Sequence, residues 1–130
     1  MGLGKAYDFV VLGSGPSGRR SAIQAAKLGK KVLVVENRKP GGVSIHTGTI
    51  PSKTVRETVL NLTGFRERNF YSNVVYPAAE EDLYGRVKAT QEREVEVLKD
   101  QFARNNVELV TGSAKFLDPN IVEISREEGL

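Results

Sequence analysis

A glycine-rich hexapeptide near the N-terminus has the composition of a phosphate-binding loop. It follows an apolar run at 7–12, precedes a segment typical of a helix, and reads Gly13-Ser14-Gly15-Pro16-Ser17-Gly18. In this G-x-G-x-x-G spacing, the first glycine allows a tight turn, the second lets a pyrophosphate approach the backbone, and the third permits close packing of helix and strand. The helix then offers its N–H groups and positive dipole end to the phosphates. The pattern predicts a dinucleotide-binding loop, and a simple glycine-rich turn is the alternative.

An acidic residue, Glu36, stands at the end of a second apolar run, 32–35, which follows the loop. A carboxylate there accepts hydrogen bonds from both ribose hydroxyls of an adenosine and repels a 2′-phosphate. An exposed strand-end glutamate without a ligand is the alternative. Arg38 and Lys39 come next. We interpret this basic pair as a solvated loop, because Glu36 argues against a phosphate clamp at this place.

A third stretch, residues 41–53, combines glycines, hydroxyl side chains and one lysine. It reads Gly41-Gly42-Val43-Ser44-Ile45-His46-Thr47-Gly48-Thr49-Ile50-Pro51-Ser52-Lys53. This stretch resembles the signature GG-x-C-x-x-x-G-C-I-P-S-K of the flavoprotein pyridine nucleotide–disulfide oxidoreductases. The run from Gly48 to Lys53 matches the G-T-I-P-S-K of the family's branch of soluble (Si-specific) NAD(P)⁺ transhydrogenases. A later segment, 112–116, resembles the one whose backbone meets the adenine, so the resemblance extends from about Tyr7 to the end of the chain.

The resemblance implies FAD as the cofactor and hydride transfer between NADPH and NAD⁺ through it. The glycine loop would bind the FAD pyrophosphate, Glu36 the adenosine ribose, and Thr49 would lie against the isoalloxazine. The ammonium of Lys53 near flavin N5 would favour the reduced, more negative flavin; a solvated helix lysine is the alternative. The resemblance implies no catalytic residue within this chain. It implies these cofactor-binding residues: Gly13, Ser14, Gly15, Pro16, Ser17, Gly18, Glu36, Asn37, Gly41, Gly42, Val43, Ser44, Gly48, Thr49, Lys53 and Ala114.

The chain also departs from the family pattern. Ser44 and Thr49 occupy the two cysteine positions, so a redox disulfide is excluded, although the transhydrogenase branch usually keeps a cysteine at the position of Ser44. The sequence contains one G-x-G-x-x-G and no Gly-Asp pair, so a site for NADPH or NAD⁺ is not evident. We interpret residues 1–130 as the N-terminal part of an FAD-binding domain, whose nucleotide and interface domains the chain lacks. Full-length family members are expected to be homodimers, and a non-catalytic FAD- or ADP-binding module is the alternative.

Composition excludes several other classes of protein. The 130 residues are 39% hydrophobic and 27% charged, which is typical of one globular domain. The net charge of +3 is spread along the chain and does not indicate a nucleic-acid partner. Without cysteine, and with His46 as the one histidine, no metal cluster is expected. No membrane helix or signal peptide is apparent, so we expect a cytoplasmic protein without membrane contact.

The elements that must position these residues follow an α/β pattern. A strand at 7–12, a helix at 16–28 and a strand at 32–35 make a βαβ unit, 7–36, whose strands should be parallel. We then expect a flavin-motif loop and helix at 41–64 (loop-like to 48, helical over 52–62), an irregular segment at 65–79, a long helix at 80–106, and a strand and hairpin at 107–125.

This pattern predicts a Rossmann-like FAD-binding domain. Its parallel sheet would have flanking helices and a small antiparallel β extension, and it would be incomplete relative to the family. The strand order should follow the doubly wound scheme, with FAD across the carboxyl ends of the strands. The residues expected in the core are Phe9, Val10, Val11, Ile23, Ala26, Val32, Val34, Leu109 and Phe116.

Overall fold

Three parallel strands form the sheet from which the glycine-rich loop extends. In this computed structural model, which describes residues 4–62 and 80–125, they are β1 (Phe9–Leu12), β2 (Val32–Glu36) and β3 (Glu108–Thr111). The central strand, β2, is buried along its whole length and pairs in parallel with both neighbours. The order β1-β2-β3 is that of one half of a doubly wound sheet, so the predicted fold class is confirmed.

The first helix, α1 (Pro16–Lys27), packs against β1 and β2. Its small residues allow this close approach, and Ala22 is completely buried. Gly29 ends the helix with a φ of +78°, a conformation in which glycine has no steric penalty. The N–H of Gly29 donates to the Ala26 carbonyl, which satisfies part of the helix end. The predicted helix at 16–28 and its glycine cap are confirmed.

Three further helices are α2 (Val43–His46), α3 (Thr49–Leu62) and α4 (Glu80–Arg104). The sequence prediction of a loop at 37–48 was wrong for the residues that form α2, and α3 begins three residues before the predicted helix at 52–62. Pro51 is tolerated in α3 because it lies in the first turn, where its missing N–H has no partner to lose. The predicted helix end at 64 and the irregular segment 65–79 fall on residues 63–79, outside the described residues.

The long helix α4 ends where the sequence predicts a stop, at two asparagines. Asn106 has a φ of +56°, and such left-handed backbone at a helix end favours glycine or asparagine. The N–H of Val107 donates to the Phe102 carbonyl at 2.9 Å, which directs the chain from the helix into β3. Strands β4 (Ser113–Asp118) and β5 (Ile121–Ser125) then form an antiparallel hairpin. This confirms the predicted hairpin at 115–125.

The chain divides into two compact units. The first comprises Met1–Gly42 and Val95–Leu130, and it contains both sheets, α1 and the end of α4. The second comprises Val43–Glu94 and contains α2, α3 and the start of α4. Within the second unit, the N–H of Gly48 donates to the Val43 carbonyl at 2.7 Å. This bond holds Gly48 against α2.

The core of the first unit agrees with the sequence prediction in part. Val11, Val32 and Val34 are buried as expected, whereas Val10, Ile23, Ala26 and Leu109 are half-buried. The prediction was wrong for Phe9 and Phe116, which are 40% and 63% exposed. Phe9 begins an outer strand of its sheet, and Phe116 lies near the turn of a two-stranded hairpin. The bulkiest buried side chains are instead Phe102 and Leu98 at the end of α4, together with Ile45 in the second unit.

Between the sheet and the hairpin, the first unit contains a cavity of about 480 Å³. Val10, Leu33 and Val110 line it from the three parallel strands, and Val122 and Ile124 line it from β5. None of the predicted cofactor-binding residues lines this cavity. The candidate site is therefore distinct from this cavity and lies at the glycine loop that follows β1.

Candidate functional site

Two glycines of the loop are required by the fold itself. Gly13 has a φ of +99°, which residues with a side chain rarely adopt, and its N–H donates to the Val35 carbonyl at 2.7 Å. This bond fixes the loop to the end of β2. A Cβ on Gly18 would overlap the Gly13 carbonyl oxygen and lie 3.0 Å from Val11 Cγ1. The third glycine therefore allows α1 to start directly against β1, as its predicted packing role requires.

The second glycine of the motif, Gly15, differs because the fold does not require it. Its φ is −63°, and a Cβ placed on it would meet no atom within 4 Å. Gly15 is the N-cap residue of α1, no side chain caps the helix there, and Pro16 occupies the first helical turn. The first N–H groups of a helix have no partner within it. Open space beside Gly15 and an uncapped helix start together fit a phosphate group approaching the backbone.

Ser14 joins the loop to Glu36. Its backbone N–H and its hydroxyl both donate to Glu36 Oε2, at 2.8 and 2.6 Å, and the hydroxyl accepts from the Gly41 N–H at 2.9 Å. Ser14 is completely buried, and Glu36 is 6% exposed. The other carboxylate oxygen, Oε1, accepts from the Arg38 N–H at 3.0 Å. The carboxylate is thus held between the glycine loop and the chain that follows β2.

Hydrogen bonds keep the Glu36 carboxylate ionised in this buried position. Burial alone raises the pKa of Glu36, because it disfavours the charged form. Donation from the Ser14 hydroxyl, the Ser14 N–H and the N–H groups of Arg38 and Asn37 outweighs burial and holds the pKa below its usual range. The site therefore presents an anionic acceptor at neutral pH, as recognition of ribose hydroxyls requires.

Two other chain segments converge on the same end of β2. In the first, Gly41 and Gly42 have φ values of +106° and +64°, and a Cβ on Gly42 would lie 3.1 Å from Gly15 Cα. In the second, the N–H of Gly112 donates to the Glu36 backbone carbonyl at 2.9 Å. This bond attaches the start of the β4–β5 hairpin to β2. Of the remaining predicted residues in the first unit, Asn37 and Ser17 are exposed and Ala114 is half-buried on β4.

The other predicted residues belong to the second unit. Val43 and Ser44 lie on α2, and Gly48 separates α2 from α3. Thr49 is the first residue of α3 and Lys53 follows one turn later, and both are exposed. Gln91 of α4 donates to the His46 carbonyl at 2.8 Å. His46 thus contributes its backbone to the packing of this unit.

The sequence does not reveal how the predicted residues are joined. The predictions assign Ser14, Glu36 and Gly41 separately to the cofactor, whereas in the structure Ser14 is bonded to both Glu36 and Gly41. No signal in the sequence identifies these bonds, since the residues lie 22 and 27 positions apart. Within residues 4–62 and 80–125, no cluster of three or more potential metal ligands occurs. In that same part of the chain, no helix is long enough and apolar enough to span a membrane.

Comparison with known proteins agrees with this geometry. The family model for pyridine nucleotide-disulphide oxidoreductases matches residues 7–129. A soluble pyridine nucleotide transhydrogenase of Mycobacterium tuberculosis is 46% identical over 123 residues, which are 89% of this chain and 26% of the relative. One from a Marinomonas species is 34% identical over 94% of this chain and 27% of the relative. The chain therefore spans about a quarter of the length of these curated relatives.

A solved structure extends the comparison to the fold. The Cu(II) complex of an HOCl-induced flavoprotein disulfide reductase from Escherichia coli superposes with a TM-score of 0.78, at 22% identity. The superposition covers 97% of this chain and 26% of that protein. The sequence match and the shared fold lead to the same assignment. The chain belongs to the pyridine nucleotide-disulphide oxidoreductase family, whose cofactor is FAD.

Proposed function

We propose that this chain is the FAD-binding portion of a flavoprotein that transfers hydride between NADPH and NAD⁺. The observation that carries the proposal is Gly15, a glycine without a conformational or packing requirement at the uncapped start of α1. A ligand that must approach the backbone gives a reason for glycine at this position. The names of the relatives support the reaction, since those proteins are soluble pyridine nucleotide transhydrogenases.

The first unit would hold the adenosine diphosphate half of FAD. The N–H groups at the start of α1 would donate to the pyrophosphate, and the ionised Glu36 would accept from the ribose. We keep the rest of the loop (Ser14, Pro16 and Ser17), the following positions (Asn37, Gly41 and Gly42) and Ala114 as proposed members of this site.

The second unit would supply the residues of the flavin side. We propose Val43, Ser44, Gly48, Thr49 and Lys53 for this role, because they occupy the positions of the family's flavin motif. Bound FAD would supply the group that receives a hydride from NADPH and passes it to NAD⁺, so that NADP⁺ and NADH result. Lys53 would provide a positive charge that favours the reduced cofactor. A dithiol at the family's motif positions takes no part, because Ser44 and Thr49 stand where the motif has its two cysteines.

FAD binding by the 130-residue chain is the first test. Titration of the purified chain with FAD, followed by flavin fluorescence, should saturate at one FAD per chain, and acid should release intact FAD. Gly15→Ala should fold normally, because the methyl group meets no protein atom, yet it should weaken FAD binding at least about tenfold. The matched control is Gly85→Ala, also unobstructed, which should bind FAD as the wild type does. Equal affinities for all three chains would contradict the proposed phosphate site.

The reaction requires a separate test, since the chain lacks an evident second nucleotide site. Residues 7–125 can replace the matching segment of the Mycobacterium tuberculosis relative. This chimera should reduce a thio-analogue of NAD⁺ with NADPH, and the same chimera carrying Gly15→Ala should lose most of that rate. We also propose that the complete protein is a cytoplasmic homodimer, which size-exclusion chromatography of the chimera tests in part.

A non-catalytic FAD- or ADP-binding module is the second candidate function. The observation that favours it is the single G-x-G-x-x-G in the 130 residues. A chimera that binds FAD stoichiometrically but transfers no hydride would support the module over the transhydrogenase.

A further inference from the structure

The hydroxyl of Ser14 is committed entirely to protein groups. It donates to Glu36 Oε2 at 2.6 Å and accepts from the Gly41 N–H at 2.9 Å, and the residue has no exposed surface. The Ser14 N–H donates to the same carboxylate oxygen at 2.8 Å. A side chain engaged in this way has no exposed group to offer a cofactor. Any effect of the hydroxyl on ligand binding must therefore pass through Glu36 or Gly41.

The two oxygens of Glu36 are consequently not equivalent. Each carboxylate oxygen offers about two acceptor sites, and Ser14 fills both sites on Oε2. Oε1 accepts from the Arg38 N–H at 3.0 Å, and the Asn37 N–H also donates to this carboxylate. Because Ser14 leaves Oε2 without an acceptor site, Oε1 is the oxygen at which a further donor, such as a ribose hydroxyl, would bind.

We propose that Ser14 is a positioning residue, whose buried hydroxyl fixes the Glu36 carboxylate so that Oε1 accepts the 2′-hydroxyl of the adenosine ribose. The inference rests on the proposed function and deepens it. It makes Ser14 a determinant of ribose recognition that acts without touching the ligand. Arg38 contributes only its backbone N–H to this arrangement, so its side chain is not part of the proposal.

Serine suits position 14 better than alanine or threonine, the two residues closest to it in size. Alanine would remove the hydroxyl bonds to the Gly41 N–H and to Oε2, in a place that water does not reach. Threonine would add a methyl group where the residue is already completely buried. Burial raises the pKa of Glu36, and the bonds from Ser14 are among those that hold it below its usual range.

The test compares two ligands that differ in one hydroxyl. ADP and 2′-deoxy-ADP are titrated by calorimetry into the wild-type chain, Ser14→Ala and the control Ser21→Ala. Ser21 is an exposed serine whose hydroxyl donates to the Ser17 and Gly18 carbonyls of its own helix. For the wild type and the control, we expect 2′-deoxy-ADP to bind about tenfold more weakly than ADP. For Ser14→Ala, this ratio should fall to about two or less, because the carboxylate is no longer held in place.

If Ser14→Ala only loosened the structure, it would weaken the binding of ADP and of 2′-deoxy-ADP equally. The ratio of the two affinities would then stay near ten, and this result would overturn the proposal. A wild-type ratio of one, in a chain that binds FAD, would also overturn it, while the proposed function would stand. A wild-type chain that binds neither ADP nor FAD would instead contradict the proposed function.

A measurement without ligand tests the role of Ser14 independently of whether the chain binds FAD or ADP. The side-chain carboxyl of Glu36 can be titrated by NMR in a ¹³C-glutamate-labelled chain, with Glu36→Gln providing the assignment. Loss of the Ser14 hydroxyl should raise the pKa of Glu36, and Ser21→Ala should leave it unchanged. An unchanged pKa in Ser14→Ala would show that the hydroxyl does not hold the carboxylate and would overturn the proposal regardless of any ligand.

Discussion

Replacing Gly18 by alanine should destabilise the chain, although alanine is the better helix former. A Cβ at this position would overlap the Gly13 carbonyl oxygen and lie 3.0 Å from Val11 Cγ1, a separation at the limit of real contacts. Because the carbonyl is backbone and Val11 is buried on β1, relief requires the start of α1 to move away from the sheet. Overpacking of this kind costs about 1–3 kcal/mol. Helix propensity returns up to about 1 kcal/mol, so we expect a net loss of about 1–2 kcal/mol in unfolding free energy.

Gly85→Ala provides a control with the opposite sign. Gly85 lies exposed within α4, and a Cβ there meets no atom within 4 Å. The same substitution should therefore stabilise the chain, by about 0.5–1 kcal/mol, through helix propensity alone. Urea unfolding of wild type and both variants, followed by circular dichroism, gives the three free energies.

The two glycines also lie in different compact units. Amide hydrogen exchange of β1 and of the part of α4 up to Glu94 should therefore assign each change to its own unit. In Gly18→Ala, β1 amides should exchange faster than in the wild type. A Gly18→Ala chain as stable as the wild type, with unchanged β1 exchange, would refute the packing argument for the third glycine of the motif.

Other predictions address the charge and the packing of the first unit. Because the folded pKa of Glu36 is lowered, its ionised form stabilises the fold above the unfolded pKa of about 4.3, and this contribution disappears as pH falls through the folded pKa. Glu36→Gln should therefore be less stable than wild type at pH 7, with the difference shrinking towards pH 3 in urea titrations. Phe102→Ala, at a residue 1% exposed, should cost about 3–5 kcal/mol by thermal or urea unfolding. Lys5→Met should change the unfolding free energy by less than about 1 kcal/mol, because its 3.0 Å bond to Glu108 is exposed.

Local signals explain why most elements could be predicted from the sequence. Apolar runs predicted β1, β2 and β3, and a glycine or asparagine with positive φ ends each of α1 and α4. These signals act over a few residues, so they survive without knowledge of the tertiary structure. Helix α2 was missed because four residues among glycines carry no helical periodicity. Burial of Phe9 and Phe116 was predicted wrongly, because apolar character does not reveal which layer covers a side chain.

The candidate site shows the same division between local and tertiary information. The spacing of Gly13, Gly15 and Gly18 identified the loop, and the confirmed strand order places Glu36 at the end of the adjacent strand. The bonds from Ser14 to Glu36 and from Gly41 to Ser14 depend on the register between loop and strand. A one-dimensional pattern contains no such register, so these bonds became visible only in the fold.

The three glycines of the motif do not carry equal evidence for function. Gly13 and Gly18 are required by the fold, through a φ of +99° and through contact with the Gly13 carbonyl oxygen. A protein with the same fold and no ligand would still need glycine at both positions. Gly15, with a φ of −63° and open space beside it, has no such requirement. The middle glycine is therefore the position at which we propose that a ligand, and not the fold, requires glycine, and Gly15→Ala separates binding from folding better than a substitution at either of the other two.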